Sequence, residues 1–201
     1  AATNGLVLTQ TVTDADGDHA SATIDLSSGV FSIQDDGPHA GLSGQASDTL
    51  VLDESRPLGT DTSGVAPNGL ATVTANYADN FAALNYGSDG AGSVAYALTL
   101  SGSSVGSGLY ALDPTDTETV LDGLGQGSQI MLVAQVDGSI WGVVGATHYF
   151  TISVDGSGTV TFTQLLNIWH SNTGSMDEPA NLVAATNGLV LTQTVTDADG
   201  D

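Results

Sequence analysis

Residues 6–12 read LVLTQTV, which places Leu6, Leu8, Gln10 and Val12 on one face of an extended chain. Residues 19–26 read HASATIDL, and there Ala20, Ala22, Ile24 and Leu26 alternate with His19, Ser21, Thr23 and Asp25. Strict alternation of this kind marks strands with one buried and one wet face. The Asp14 to Asp18 stretch between them then becomes a hairpin tip. Further strands are expected at 49–52, 70–74, 93–100, 108–112, 129–136, 139–144, 148–154 and 159–165. Asp137-Gly138 joins one pair of these with a strong short hairpin signal. Asp155-Gly156-Ser157-Gly158 joins another more loosely. No amphipathic helix is apparent. Short strands at regular spacing between Gly-rich turns predict an all-β, immunoglobulin-like or cadherin-like β-sandwich.

One feature sets the domain organisation. Residues 1–18 and residues 184–201 carry the same sequence, AATNGLVLTQTVTDADGD, an offset of 184 − 1 = 183. A period of that length matches a whole domain rather than a solenoid repeat. The chain is therefore expected to be one period of a tandem array of sandwich modules. Asp35-Asp36-Gly37-Pro38, followed by Gly and Ser, marks an exit between modules. The reading is 1–37 as the closing hairpin and linker of a preceding repeat, 38–183 as a sandwich body, and 184–201 as the start of that body's own closing hairpin. Residues 189–195 should form a strand whose partner, the counterpart of 20–33, lies beyond residue 201.

Composition narrows the function classes. Hydrophobic residues make up 40%, enough for a core. The net charge is −22, with Arg56 the single basic residue, so nucleic acid and direct contact with anionic membranes are disfavoured and a cation is the natural counter-charge. Cysteine is absent, which excludes disulfides and thiolate zinc sites. There is no apolar run of about 18 residues and no basic region followed by an apolar stretch, so neither a membrane span nor a signal peptide is expected.

The acidic groups carry the candidate chemistry. Asp14, Asp16 and Asp18 fall at alternate positions around Gly17, and the second copy repeats them as Asp197, Asp199 and Asp201. Asp35 and Asp36 lie at the proposed boundary, and Asp53 and Glu54 follow the first strand expected of the next body. Hard carboxylate oxygens suit Ca²⁺, whereas Mg²⁺ demands a tighter octahedron. An EF-hand is excluded, because Gly17 sits at loop position 4 and His19 occupies position 6, where the sharp turn requires Gly. The competing reading is a solvated turn, since Asp and Gly favour turns without any ion. Clustering of like charges with one basic residue in the chain favours calcium.

Asp14-Ala15-Asp16-Gly17-Asp18, Asp35-Asp36-Gly37-Pro38, Asp53-Glu54, Ala78-Asp79-Asn80-Phe81, the Tyr86 to Gly92 stretch and the Gln164 to His170 stretch occur in an order similar to that in tandem extender repeats of giant repeats-in-toxin adhesins, which bacterial type I secretion exports. The resemblance implies a Ca²⁺-rigidified sandwich at the surface of a Gram-negative bacterium, with neighbouring repeats of the same chain as partners. The family's glycine-rich nonapeptide calcium repeats do not occur in this sequence.

An enzyme is not expected. His19, His39, His148 and His170 belong to no catalytic motif. Trp141 and Trp169 would serve a calcium-dependent carbohydrate-binding module as a sugar platform, but each sits among apolar residues and reads as packing. The function expected from sequence is a structural extender that projects a distal adhesive domain.

Overall fold

A computed structural model describes residues 5–54, 72–117, 123–172, 174–175 and 178–201. Arg56, Leu70 and the first four residues of the repeated segment lie outside them. The chain divides into two compact units, Ala1–Asp36 and Gly37–Asp201.

The first unit is a hairpin of β1 (Val7–Thr13) and β2 (His19–Asp25). Val7 faces Asp25 and Thr13 faces His19 in an unbroken antiparallel register. Cross-strand partners share a face. Leu8 opposite Ile24 and Val12 opposite Ala20 therefore form the apolar face that the alternation foretold.

The second unit is all-β and antiparallel, with one 3-10 turn among its described residues, at Ala78–Asn80. Its strands are β3 (Thr72–Asn76), β4 (Ala91–Leu100), β5 (Val105–Leu112), β6 (Gln126–Ala134), β7 (Ile140–Val144), β8 (Thr147–Val154), β9 (Thr159–Gln164) and β10 (Leu189–Asp197). Six of them form a sheet in the order β3-β9-β8-β7-β6-β5, and β10 pairs with β4 in a second sheet. The two sheets make a β-sandwich. Ile130 and Leu132 of β6, Ile140 of β7 and Phe150 of β8 are buried at its centre, and Leu98, Leu100, Leu189 and Leu191 pack on them from β4 and β10. Each such side chain contributes about 1.5–3 kcal/mol when removed from water. Phe150 meets Phe162 edge to face at 5.5 Å.

Local sequence explains the elements. Along β5, Val105, Ser107, Leu109 and Ala111 alternate inward. Ser107 is tolerated there because its Oγ donates to the Ile130 carbonyl at 2.6 Å. At the Asp137-Gly138 turn, Asp137 Oδ1 accepts from Ser139 N at 2.9 Å. One expected strand differs: residues 49–52 form no ladder. Leu50 packs on the core, and Tyr77 Oη donates to the Asp48 carbonyl at 2.7 Å, so this segment is a strap held by side chains. Alternation cannot distinguish such a strap from a strand, because both bury every second side chain.

Candidate metal centre

The identical octapeptides fold into the same turn. Asp14 N donates to the Asp18 carbonyl at 2.9 Å, and Asp197 N donates to that of Asp201 at 3.3 Å. Asp14 Oδ1 accepts from Gly17 N at 3.1 Å and Asp18 N at 3.0 Å. Asp197 Oδ1 accepts from Gly200 N and Asp201 N at 3.1 and 3.0 Å. Gly17 and Gly200 have φ of 100° and 104°, a region that glycine enters without steric cost. Asp155 organises its turn similarly, accepting at Oδ1 from Ser157 N and Thr159 N at 2.9 and 3.0 Å. One oxygen of each carboxylate is therefore a turn cap, a role that needs no ion.

Hydrogen bonding with Asp16 leads in holding the Asp14 carboxyl below its ordinary range, against a smaller desolvation effect. At Asp197 burial is the largest influence and opposes ionisation. Bonds with Asp199 and with the N–H groups of Asp201 and Gly200 outweigh it, so its pKa is also lowered.

Surroundings separate the two copies. Asp14, Asp16 and Asp18 are exposed, and each offers an oxygen within 4.8 Å of the others. Asp197 is only 2% exposed, and its Oδ2 is buried with no hydrogen-bond partner. An ionised oxygen in that state is costly unless a cation meets it. Asp199 interacts with the Asp197 side chain, and at the same seam Asp199 and Asp89, both exposed, bring carboxylate oxygens within 4.8 Å of each other. This placement follows from how β4 meets β10. Ala198 N donates to the Gly90 carbonyl at 3.1 Å, and the register shifts at Thr196/Asp197. Gly92 allows the approach, since a Cβ there would lie 1.8 Å from the Asp197 carbonyl oxygen. The donors are all hard oxygens, the set that Ca²⁺ takes, and the orphaned Asp197 Oδ2 fits such an ion.

Asp35 and Asp36 are exposed in the first unit, and Asp53 is half-buried in the second. Glu54 is engaged by protein donors. Its Oε1 accepts from Gln164 Nε2 and from Ile168 N at 3.0 Å, its Oε2 accepts from Asn167 Nδ2 at 2.8 Å, and His170 Nε2 lies 3.6 Å from Oε2. The Gln164 to His170 stretch is thus a receptor for this carboxylate. Asp89 was not among the predicted ligands. The available signal was an acidic residue inside the turn Gly87-Ser88-Asp89-Gly90, which becomes meaningful only once β4 is known to lie beside β10.

Both tryptophans are tied into the sandwich. Trp141 Nε1 donates to Ser139 Oγ at 3.0 Å and its ring meets His148 at 4.2 Å. Trp169 Nε1 donates to the Leu124 carbonyl at 2.9 Å and its ring meets Tyr110 at 6.0 Å.

No curated protein and no solved structure matches this chain. The geometry of β4, β10 and the acidic turn all falls within residues 49–201, the stretch matched by one family's sequence profile, and the chain belongs to that family, described as a domain of unknown function (DUF5801).

Proposed function

We propose that this chain is a calcium-stiffened structural module of a secreted bacterial surface adhesin, repeated in tandem to hold a distal adhesive domain away from the cell. Two observations at the seam of β4 and β10, the buried Asp197 Oδ2 without a donor and the close carboxylates of Asp89 and Asp199, carry the calcium part of this reading in a chain with one basic residue. The 18-residue duplication supports the tandem part. The resemblance to extender repeats exported by type I secretion supplies the adhesin and cell-surface setting. Bound Ca²⁺ neutralises the carboxylates and clamps the end of β10 to the start of β4. Where calcium is scarce, the carboxylates repel and the sheet is weaker, which favours passage of an unfolded chain through a secretion channel. Where calcium is abundant, an ion bound only by the folded state adds about 4 kcal/mol at a thousandfold excess over its dissociation constant.

Catalysis forms no part of this reading. The engagement of Trp141 and Trp169 favours the structural role over carbohydrate binding. Thermal melting across a calcium titration, with magnesium as the control, tests the proposal. A melting temperature that rises with Ca²⁺ and falls with chelator is expected. Melting indifferent to both removes the calcium reading, and glycan-array binding by the calcium-loaded chain would favour the carbohydrate-binding alternative.

A further inference from the structure

The same strand sequence uses opposite edges in its two copies. Just before β1 the Leu6 carbonyl accepts from Leu26 N at 2.9 Å, and just after it Asp14 N donates to the Asp18 carbonyl at the turn. Backbone groups alternate in direction along an antiparallel strand. Leu6, Leu8, Gln10 and Val12 therefore turn their N–H and C=O groups toward β2. Just before β10 the Gly188 carbonyl accepts from Ser101 N at 3.2 Å, so Gly188, Val190, Thr192 and Thr194 turn theirs toward β4. Leu189, Leu191, Gln193 and Val195, the counterparts of the β1 set, point theirs away from β4. Among the described residues, β10 pairs with β4 alone and β1 with β2 alone.

Burial follows the same division. Leu8 and Val12 are 58% and 62% exposed, while Val195, the counterpart of Val12, is 8% exposed and Leu191, the counterpart of Leu8, packs on the sandwich core. Ile24, opposite Leu8 on the same hairpin face, is 61% exposed. The second copy shows what covers this apolar face, namely the core of a sandwich body.

We propose that the duplicated strand is the middle strand of a three-stranded sheet ordered β4, shared strand, β2, and that the outer edge of β10 takes a β2 strand from a neighbouring copy of this repeat. The two pairings use different backbone groups, so they do not compete. The β1 register, shifted by the 183-residue offset, sets Leu191 opposite Ile24, Gln193 opposite Ala22 and Val195 opposite Ala20 of the neighbour. Ile24 and Leu26 of that copy then extend the core beyond Leu191. Each body is closed by a complete hairpin, and successive copies are joined through continuous backbone pairing.

This inference goes beyond calcium binding and does not depend on it. The test appends the sequence of residues 19–36 after Asp201 of the full chain and follows amide hydrogen exchange with and without chelator. Exchange at Leu191, Gln193 and Val195 is expected to slow by about tenfold or more, while Val190, Thr192 and Thr194, already bonded to β4, stay unchanged. The same extension with Ala22→Pro, which removes a central N–H, is expected to lose the protection. Outward amides that exchange at the parent rate in the extended chain, or equally in the proline version, overturn the proposal. Slowing that persists in chelator separates strand pairing from the calcium reading.

Discussion

Glu54 Oε2 lies 3.6 Å from His170 Nε2, and this contact ties the strap that precedes β3 to the segment that follows β9. Gln164, Asn167 and the Ile168 N–H complete the set of donors around the carboxylate. His170 is itself oriented through Nδ1, 2.9 Å from the Glu178 carbonyl. Glu54→Ala would leave the Ile168 N–H without its acceptor and the buried Gln164 Nε2 with the Leu166 carbonyl as its remaining acceptor. A loss of about 2–3 kcal/mol is expected, lowering the melting temperature by about 5–10 °C for a domain of this size. Circular dichroism melting of the variant beside wild type measures it.

The same pair sets a pH window. Burial, the largest influence on Glu54, opposes its charge, yet the bonds from His170, Asn167, Ile168 and Gln164 outweigh it and lower its pKa. Its contribution is therefore present above the ordinary glutamate range and is lost as pH falls through the folded value. The bond to Glu54 leads in raising the pKa of His170, against desolvation. That contribution is complete below the ordinary histidine value of about 6.5 and is lost as pH rises through the folded value. Urea unfolding from pH 4 to pH 8, values on the order of the two ordinary ranges, should show greatest stability between them. His170→Gln should flatten the neutral limb. A neutral limb of unchanged slope in that variant would assign it to other groups.

Calcium affinity should depend on the carboxylates at the seam between β4 and β10. Asp89→Asn and Asp199→Asn are each expected to weaken binding about tenfold or more, a change of about 1.4 kcal/mol. His170→Ala should leave it unchanged, because His170 serves Glu54. Isothermal calorimetry on the three variants decides, and equal affinities throughout would move the ion elsewhere. Asp16→Ala and Asp36→Ala in the same series report whether the exposed carboxylates of the first unit contribute.

Gly92→Ala tests the seam between β4 and β10. The added methyl would fall 1.8 Å from the Asp197 carbonyl oxygen, a backbone atom that cannot rotate away. Separation of the strand ends is expected, at a cost of about 1–3 kcal/mol or more. The measurements are a lower urea midpoint and faster exchange at the Val190, Thr192 and Thr194 amides.

Period-two alternation was enough to locate β1, β2 and nearly every strand of the sandwich, because each of them buries one face and wets the other. The turns were equally legible. Asp14 and Asp197 build the same turn in unlike surroundings, since the cap uses atoms within the octapeptide itself. What sequence alone left open was every choice among non-local partners. It did not indicate that β10 would lie against β4, that Asp89 would approach Asp199, or that Glu54 would meet Gln164 and His170. It also assigned equal roles to Val12 and Val195, which differ from 62% to 8% in exposure. Identical residues have identical propensities, so only the elements packed around each copy separate an exposed hairpin from a buried strand. The sequence determined the strands and turns; the tertiary structure decided which edges are paired and which carboxylate is buried.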